Sequence, residues 1–267
     1  MELTMLGTGH AVVTECYNTC FVITDGEKRF MVDGGGGCVL APLKRANINW
    51  LDIHDFFVTH KHIDHLTGII WILRVTLQMM NHNRYDGELN IYSHNEVIDL
   101  LHKAADQLFE PAETRFIDDR LHLITVDDGE SRTICDHEIT FFDTQATKTK
   151  EYGFSMELSD KGRLVCCGDE PCRESAYPYA QDCEWLLHEA FCMAAQEDKF
   201  HPHEKSHSTV ADACETAQKL HVRNLVLYHT EDSNMAQRKM LYTQEGQKHY
   251  SGNLFVPDDL ETIQLTR

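Results

Sequence analysis

The stretch THKHIDHLTG, residues 59–68, sets His60, His62, Asp64 and His65 within six positions. It follows the apolar run DFFVT and precedes HLTGIIWILRVTLQMMN, which has the pattern of a long helix. Extended backbone alternates its side chains, so His60 and His62 point the same way. Asp64 and His65 fall in the first turn of the helix and face a neighbouring position. Imidazole and carboxylate are zinc ligands, bound at about 2.0–2.2 Å. The segment thus offers one pair of ligands to one ion and a second pair to another. A two-metal centre of that kind clamps the attacking and leaving oxygens of a displacement. A solvated polar loop is the bland alternative. The apolar strand before it and the helix after it argue against that reading, and H-x-H-x-D-H is far more specific than an isolated histidine or aspartate.

The rest of the chain sets limits. Its 267 residues are 42% hydrophobic and 25% charged, an ordinary globular balance. No repeat, low-complexity segment or linker interrupts them, so residues 1–267 are expected to form a single domain. The longest apolar run is cut by Arg74 and Gln78 and falls short of the ~18 residues of a membrane helix. The start, MELTMLGTGH, lacks the layout of a signal peptide, which predicts a cytoplasmic protein without a membrane partner. Most of the ten cysteines are then expected to be small buried thiols. Adjacent Cys166 and Cys167 on a strand would face opposite sides. The net charge of −19, with no cluster of Lys and Arg, disfavours a polyanionic partner and suits a small or weakly charged substrate.

Short apolar runs mark strands at ELTMLG, CFVIT, RFMVD, IHDFFVT and LNIYS, and again at LHLITV, EITFFDT, YGFSMEL, RLVCCGD, EWLLHEA and RNLVLYH. Helical patterns cover VLAPLKRAN, NEVIDLLHKAADQLF, STVADACETAQKLH (capped by Ser208 or Thr209) and NMAQRKMLYTQEGQKH. Strands followed by helices in each half fit two sheets packed face to face with helices outside.

In order along the chain come LGTG (6–9), VDGG (32–35), the HKHIDH cluster, CGDE (167–170), LLHEAF, SHST (206–209) and VLYHTED (226–232). This series resembles the metallo-β-lactamase superfamily, and within it ribonuclease Z and its relatives. The resemblance implies an α+β, four-layer αβ/βα sandwich of two mixed sheets flanked by helices. It implies metal ligands at His60, His62, Asp64, His65, Asp169 and His229, with Asp169 bridging two ions and His229 on the second. It also implies that Asp64 orients or deprotonates the attacking water and that Glu189 and His207 form a catalytic relay beside it. His188 reads as structural. The implied cofactor is Zn²⁺, in two sites, and homodimers are common among such relatives.

Two departures modify the expectation. The family supplies one more histidine to the first ion, six residues before a Gly-Tyr or Gly-Phe strand start; here Gly153-Phe154 puts Thr147 at that position. Asp143, Gln145 or Thr147 could approach the ion, but none is an equivalent ligand, and a harder ligand set moves preference toward Mn²⁺ or Fe. The long Gly/Pro-rich arm with which tRNA-cutting relatives grip tRNA has no counterpart in the short spacings here. The expected function is therefore a metal-dependent phosphodiesterase acting on RNA ends or small cyclic nucleotides, with a small nucleotide favoured over tRNA. Alternatives are a tRNA 3′-processing endoribonuclease, a thioester or lactone hydrolase, and a degenerate metal- or nucleotide-binding protein.

Overall fold

The structure is a computed structural model and describes residues 1–158 and 162–265. Its first half runs β1 (Glu2–Gly7), β2 (Cys20–Asp25), β3 (Lys28–Val32), α1 (Leu40–Arg45), β4 (Asp55–Phe57), α2 (Ile63–Asn81), β5 (Leu89–Ser93), α3 (Asn95–Leu108), α4 (Pro111–Thr114) and β6 (Leu121–Thr125). The second runs β7 (Ser131–Ile134), β8 (His137–Asp143), β9 (Tyr152–Glu157), β10 (Arg163–Cys166), α5 (Tyr177–Ala180), β11 (Trp185–Glu189), α6 (Glu197–Phe200), α7 (Val210–Lys219), β12 (Asn224–Tyr228), α8 (Met235–Gly246), β13 (Asn253–Phe255) and β14 (Thr262–Gln264).

The strands form two seven-stranded sheets, ordered β14-β1-β2-β3-β4-β5-β6 and β13-β12-β11-β10-β9-β8-β7. Each is mixed. β3 to β6 are parallel in one, and β10 to β13 in the other. Alternation along the strands divides the apolar residues into separate cores. Phe21, Phe30, Phe57, Phe141 and Phe154 fill the space between the sheets. The outer face of the first sheet is covered by α2 and α3 through Ile69, Leu73, Leu77, Val97 and Leu101. The outer face of the second is covered by α7 and α8 through Val210, Ala213, Cys214 and Tyr242. Four layers result, as expected. Cys166 lies in the central core and Cys167 in the outer one, as strand alternation requires. All ten cysteines are free thiols.

The long apolar helix after the histidine cluster is mostly core, which accounts for its composition. Thr209 caps α7: its hydroxyl accepts from the Asp212 amide at 3.2 Å, and Asp212 Oδ2 accepts from the Thr209 amide at 2.8 Å. Three strands escape the sequence patterns: β7, β13 and β14. β7 is mostly exposed, and the other two span three residues each, too short to show a period.

The glycines after β3 meet the helix that carries the site. A Cβ on Gly68 would stand 1.9 Å from the Gly34 carbonyl oxygen, and one on Gly34 would stand 2.4 Å from the Ile69 nitrogen. The Gly34 amide donates to the His65 carbonyl at 2.8 Å, and the Gly68 amide to the Gly35 carbonyl at 2.9 Å. The DGGGG run is therefore a close-packed seat for α2, and it fixes the height of Asp64 and His65 above the sheets.

Candidate metal centre

The site gathers where parallel strands end. Asp33 follows β3, His60 and His62 follow β4, Asp169 follows β10, Glu189 ends β11, and His229 follows β12. In open α/β sheets the crevice beyond the carboxyl ends of the strands is the usual place for a ligand. Asp64 and His65 enter from the first turn of α2, and His207 from the loop before α7.

Of the eight residues expected from sequence, all converge here. His60 Nε2 and His62 Nδ1 face each other at 2.8 Å. Two nitrogens bound to one ion at about 2.1 Å stand roughly 3–3.5 Å apart, so these rings are close to sharing an ion. His60 Nε2 lies 3.6 Å from Asp169 Oδ2. His65 Nε2 lies 3.5 Å from Asp64 Oδ2 and 3.6 Å from Asp169 Oδ2. His229 Nε2 lies 3.8 Å from Asp64 Oδ2 and 3.4 Å from Asp169 Oδ2. Asp169 thus touches both halves. His60, His65 and Asp169, and likewise Asp64, His65 and His229, bring their donor atoms within 4.8 Å of one another.

These residues fit a divalent cation. The buried Nε2 atoms of His65 and His229 make no hydrogen bond among the described residues, although both face carboxylates. Buried polar atoms are seldom left so, and a cation between them supplies the missing partner. Electrostatics agree. Burial would raise Asp64, but His229 and His65 beside it hold its carboxyl below the usual range. Burial likewise opposes ionisation of Asp169, and His60, His229 and His65 outweigh it. Burial keeps His60 and His229 neutral, the form that ligates a metal.

Glu189 and His207 sit beside this cluster. Glu189 Oε2 is 3.5 Å from His207 Nδ1, and Glu189 Oε1 accepts from the Ser208 amide. Phe191 stacks on the His207 ring, centroids 5.2 Å apart and planes within 11°. The other histidines of the stretch FHPHEKSHST (200–209) lie elsewhere. His203 is exposed and paired with Glu197 and Asp212, and His201 is exposed. His188 accepts from the Cys172 amide and donates to the Glu189 carbonyl, within the backbone framework.

Four residues of the site were not read from sequence. Asp33 Oδ2 accepts from His65 Nδ1 at 2.7 Å and from the Thr59 hydroxyl at 2.8 Å, fixing the ring that serves both halves. Its charge helps raise His65 to about 9 against the effect of burial. Glu151, 1% exposed, lies 3.4 Å from His60 Nδ1. Burial, with Asp169 close by, raises its carboxyl well above the ordinary range. His10 packs edge-on to Phe191, and burial, then His229 and His207, lower it to about 4. Lys148 stands at the rim, its Nζ 3.2 Å from His207 Nε2. A carboxylate closing a strand ahead of glycines was the visible signal for Asp33; Glu151, His10 and Lys148 carried none.

The position of the expected extra histidine is also resolved. Thr147 turns to Glu170: its amide donates to Oε2 at 2.9 Å, and its hydroxyl pairs with the Ser206 hydroxyl at 2.7 Å. The Asp143 carboxylate accepts from the Gln145 amide instead. None of Asp143, Gln145 or Thr147 lines the cavity of about 590 Å³ above the cluster, whose walls include His10, Lys61, Ile63, Leu100 and Lys148.

Comparison with known proteins agrees with this geometry. Ribonuclease Z of Natronomonas pharaonis is 24% identical, covering 99% of this chain and 98% of its own. That match runs over 310 positions, more than the 267 residues here, so the relative has segments without a counterpart. Ribonuclease Z of Parabacteroides distasonis is 26% identical over 85% of this chain and 88% of its own. Among solved structures, the metallo-beta-lactamase fold protein YhfI from Bacillus subtilis superposes with a TM-score of 0.78 at 17% identity, covering 98% of this chain and 99% of its own. The short form of human tRNase Z superposes with a TM-score of 0.75 at 19% identity, each chain covered in full at 100%. The pattern of the family described as anti-Pycsar protein Apyc1 matches residues 1–250. With its histidine cluster, shared aspartate and four-layer sandwich in place, the chain belongs to the anti-Pycsar protein Apyc1 family, in the ribonuclease Z-like branch of the metallo-β-lactamase superfamily.

Proposed function

We propose that this metal-dependent hydrolase is a phosphodiesterase whose substrate is a small, cyclic nucleotide. The observation that carries the reading is the convergence of Asp64, Asp169 and the histidines on one wall of a modest cavity, with Glu189 and His207 alongside. His60, His62 and Asp169 would hold a cation on one side, and Asp64, His65, Asp169 and His229 on the other. A divalent ion held there would lower the pKa of water toward neutrality and offset charge developing on phosphate oxygens.

The chain's own groups supply the rest. Asp64 offers a carboxylate that stays ionised and orients the attacking water. Glu189, fully buried, faces His207 Nδ1, while Phe191 fixes the plane of the ring. His207 so held can return a proton to the leaving oxygen. The 3.5 Å separation is loose for a hydrogen bond, and such pairs tighten when substrate binds. Ala11, Ile63 and Leu100 give the cavity an apolar side suited to a base or ribose. The short connections and the charge of −19 support a small substrate over tRNA.

The test is a panel of 2′,3′- and 3′,5′-cyclic nucleotides, bis-nitrophenyl phosphate, a tRNA precursor and a thioester, with Zn²⁺ or Mn²⁺ present. Cyclic nucleotides are expected to turn over, and His60→Ala to abolish it. Silence on every diester removes the proposal, and faster cleavage of the tRNA precursor than of any small diester assigns tRNA 3′ processing instead.

A further inference from the structure

The two halves of the centre are unequally equipped. One side has Asp64, His65 and His229 with the shared Asp169. The other has His60, His62 and Asp169, and Thr147 is turned onto Glu170 and Ser206. Three donors leave a corner of the four-coordinate geometry preferred by zinc without a protein ligand.

A cation stands beside the gap. Lys148 follows Thr147 and lines the cavity with His62, Asp64 and Asp169. Its position is built: Glu170, 1% exposed, accepts from the Lys148 amide at 3.0 Å and the Thr147 amide at 2.9 Å, and is anchored by Arg173 at 2.8 Å. Glu170 adjoins Asp169, so one loop places both the shared carboxylate and the lysine. The other lysine of the wall is engaged, since Lys61 pairs with Glu96 at 2.7 Å. Lys148 Nζ instead lies 3.2 Å from His207 Nε2, on the site's own wall.

Charge balance points the same way. One divalent ion offsets Asp64 and Asp169, and a bound phosphodiester then still needs a positive partner. We infer that the chain holds one divalent ion tightly, at Asp64, His65, Asp169 and His229, and that Lys148 supplies the second positive charge by binding a non-bridging phosphate oxygen. The phosphate part rests on the proposed function; the ion count does not.

The experiment reads both without turnover. Full-length protein is loaded with zinc, freed of loose ions by gel filtration and analysed for metal, and inorganic phosphate binding is then followed by calorimetry. The expected result is about one zinc per chain in wild type and in Lys148→Ala, because the ligands are elsewhere. Phosphate affinity should drop about tenfold or more in Lys148→Ala, the value of a charge-assisted hydrogen bond, and largely return in Lys148→Arg. Two tightly held zincs in the wild type, or phosphate affinity unmoved in Lys148→Ala, overturns the inference. Lys148-dependent phosphate binding in a chain that hydrolyses no diester would retire the functional reading and leave this one standing.

Discussion

The residues that orient the candidate ligands matter as much as the ligands. Asp33 and His229 both sit at positive φ, 57° and 58°, where non-glycine residues are held at a cost by their surroundings. Asp33 holds His65 by a 2.7 Å bond to Nδ1, leaving Nε2 for the cluster. Asp33→Asn is expected to weaken metal affinity about 10–100-fold, read by chelator competition. Away from the cluster, His94 is fully buried with neither ring nitrogen hydrogen-bonded among the described residues, and burial, then Lys150, lowers it to about 4. The unfolded chain takes up this proton near pH 6.5 and the folded one near 4, so folding stability falls as pH drops through that window. Substituting His94→Gln should reduce the acid-side slope by up to about 1.4 kcal/mol per pH unit, measured by urea unfolding between pH 4 and 6.5.

Elements show where sequence patterns suffice. The helix α2 was legible from its apolar period, its start from the histidine cluster, and α7 from the Thr209 and Asp212 box. The seat of α2 was not, because a glycine run signals many things and only the approach of Gly34 to Gly68 tells which. Gly68→Ala is expected to push the helix off that seat at a cost of about 1–3 kcal/mol or more, seen as a lowered Tm, with weakened metal binding because Asp64 and His65 ride on the same turn. An unchanged Tm would mean that the backbones separate without loss.

At the scale of the molecule, β14 returns to pair with β1, and Arg238, buried, ties α8 to Thr8, Thr230 and the Pro257 carbonyl. The loops that carry Thr8 and Thr230 also carry His10 and His229, so the frame of the site is closed by contacts more than 200 residues apart in sequence. No helix among the described residues is long and apolar enough to cross a membrane. The charge of −19 repels an anionic substrate at long range, and salt screens that field over about 10 Å at 0.1 M. KM for a cyclic nucleotide should therefore fall as ionic strength rises from about 10 to 150 mM, whereas strong inhibition by salt would indicate a cationic docking surface instead.

The sequence by itself determined two sheets with helices outside, most of the strands and helices, and the clustering of His60, His62, Asp64 and His65, because apolar periodicity and close spacing are local properties; Asp169 and His229 followed only from the resemblance to ribonuclease Z. Only the tertiary structure separated His207 from its exposed neighbours His201 and His203, and showed that Asp33, Glu151, His10 and Lys148 surround the centre. Those placements depend on loops from separate strands meeting at one rim, and pairing across such distances leaves no period in the chain.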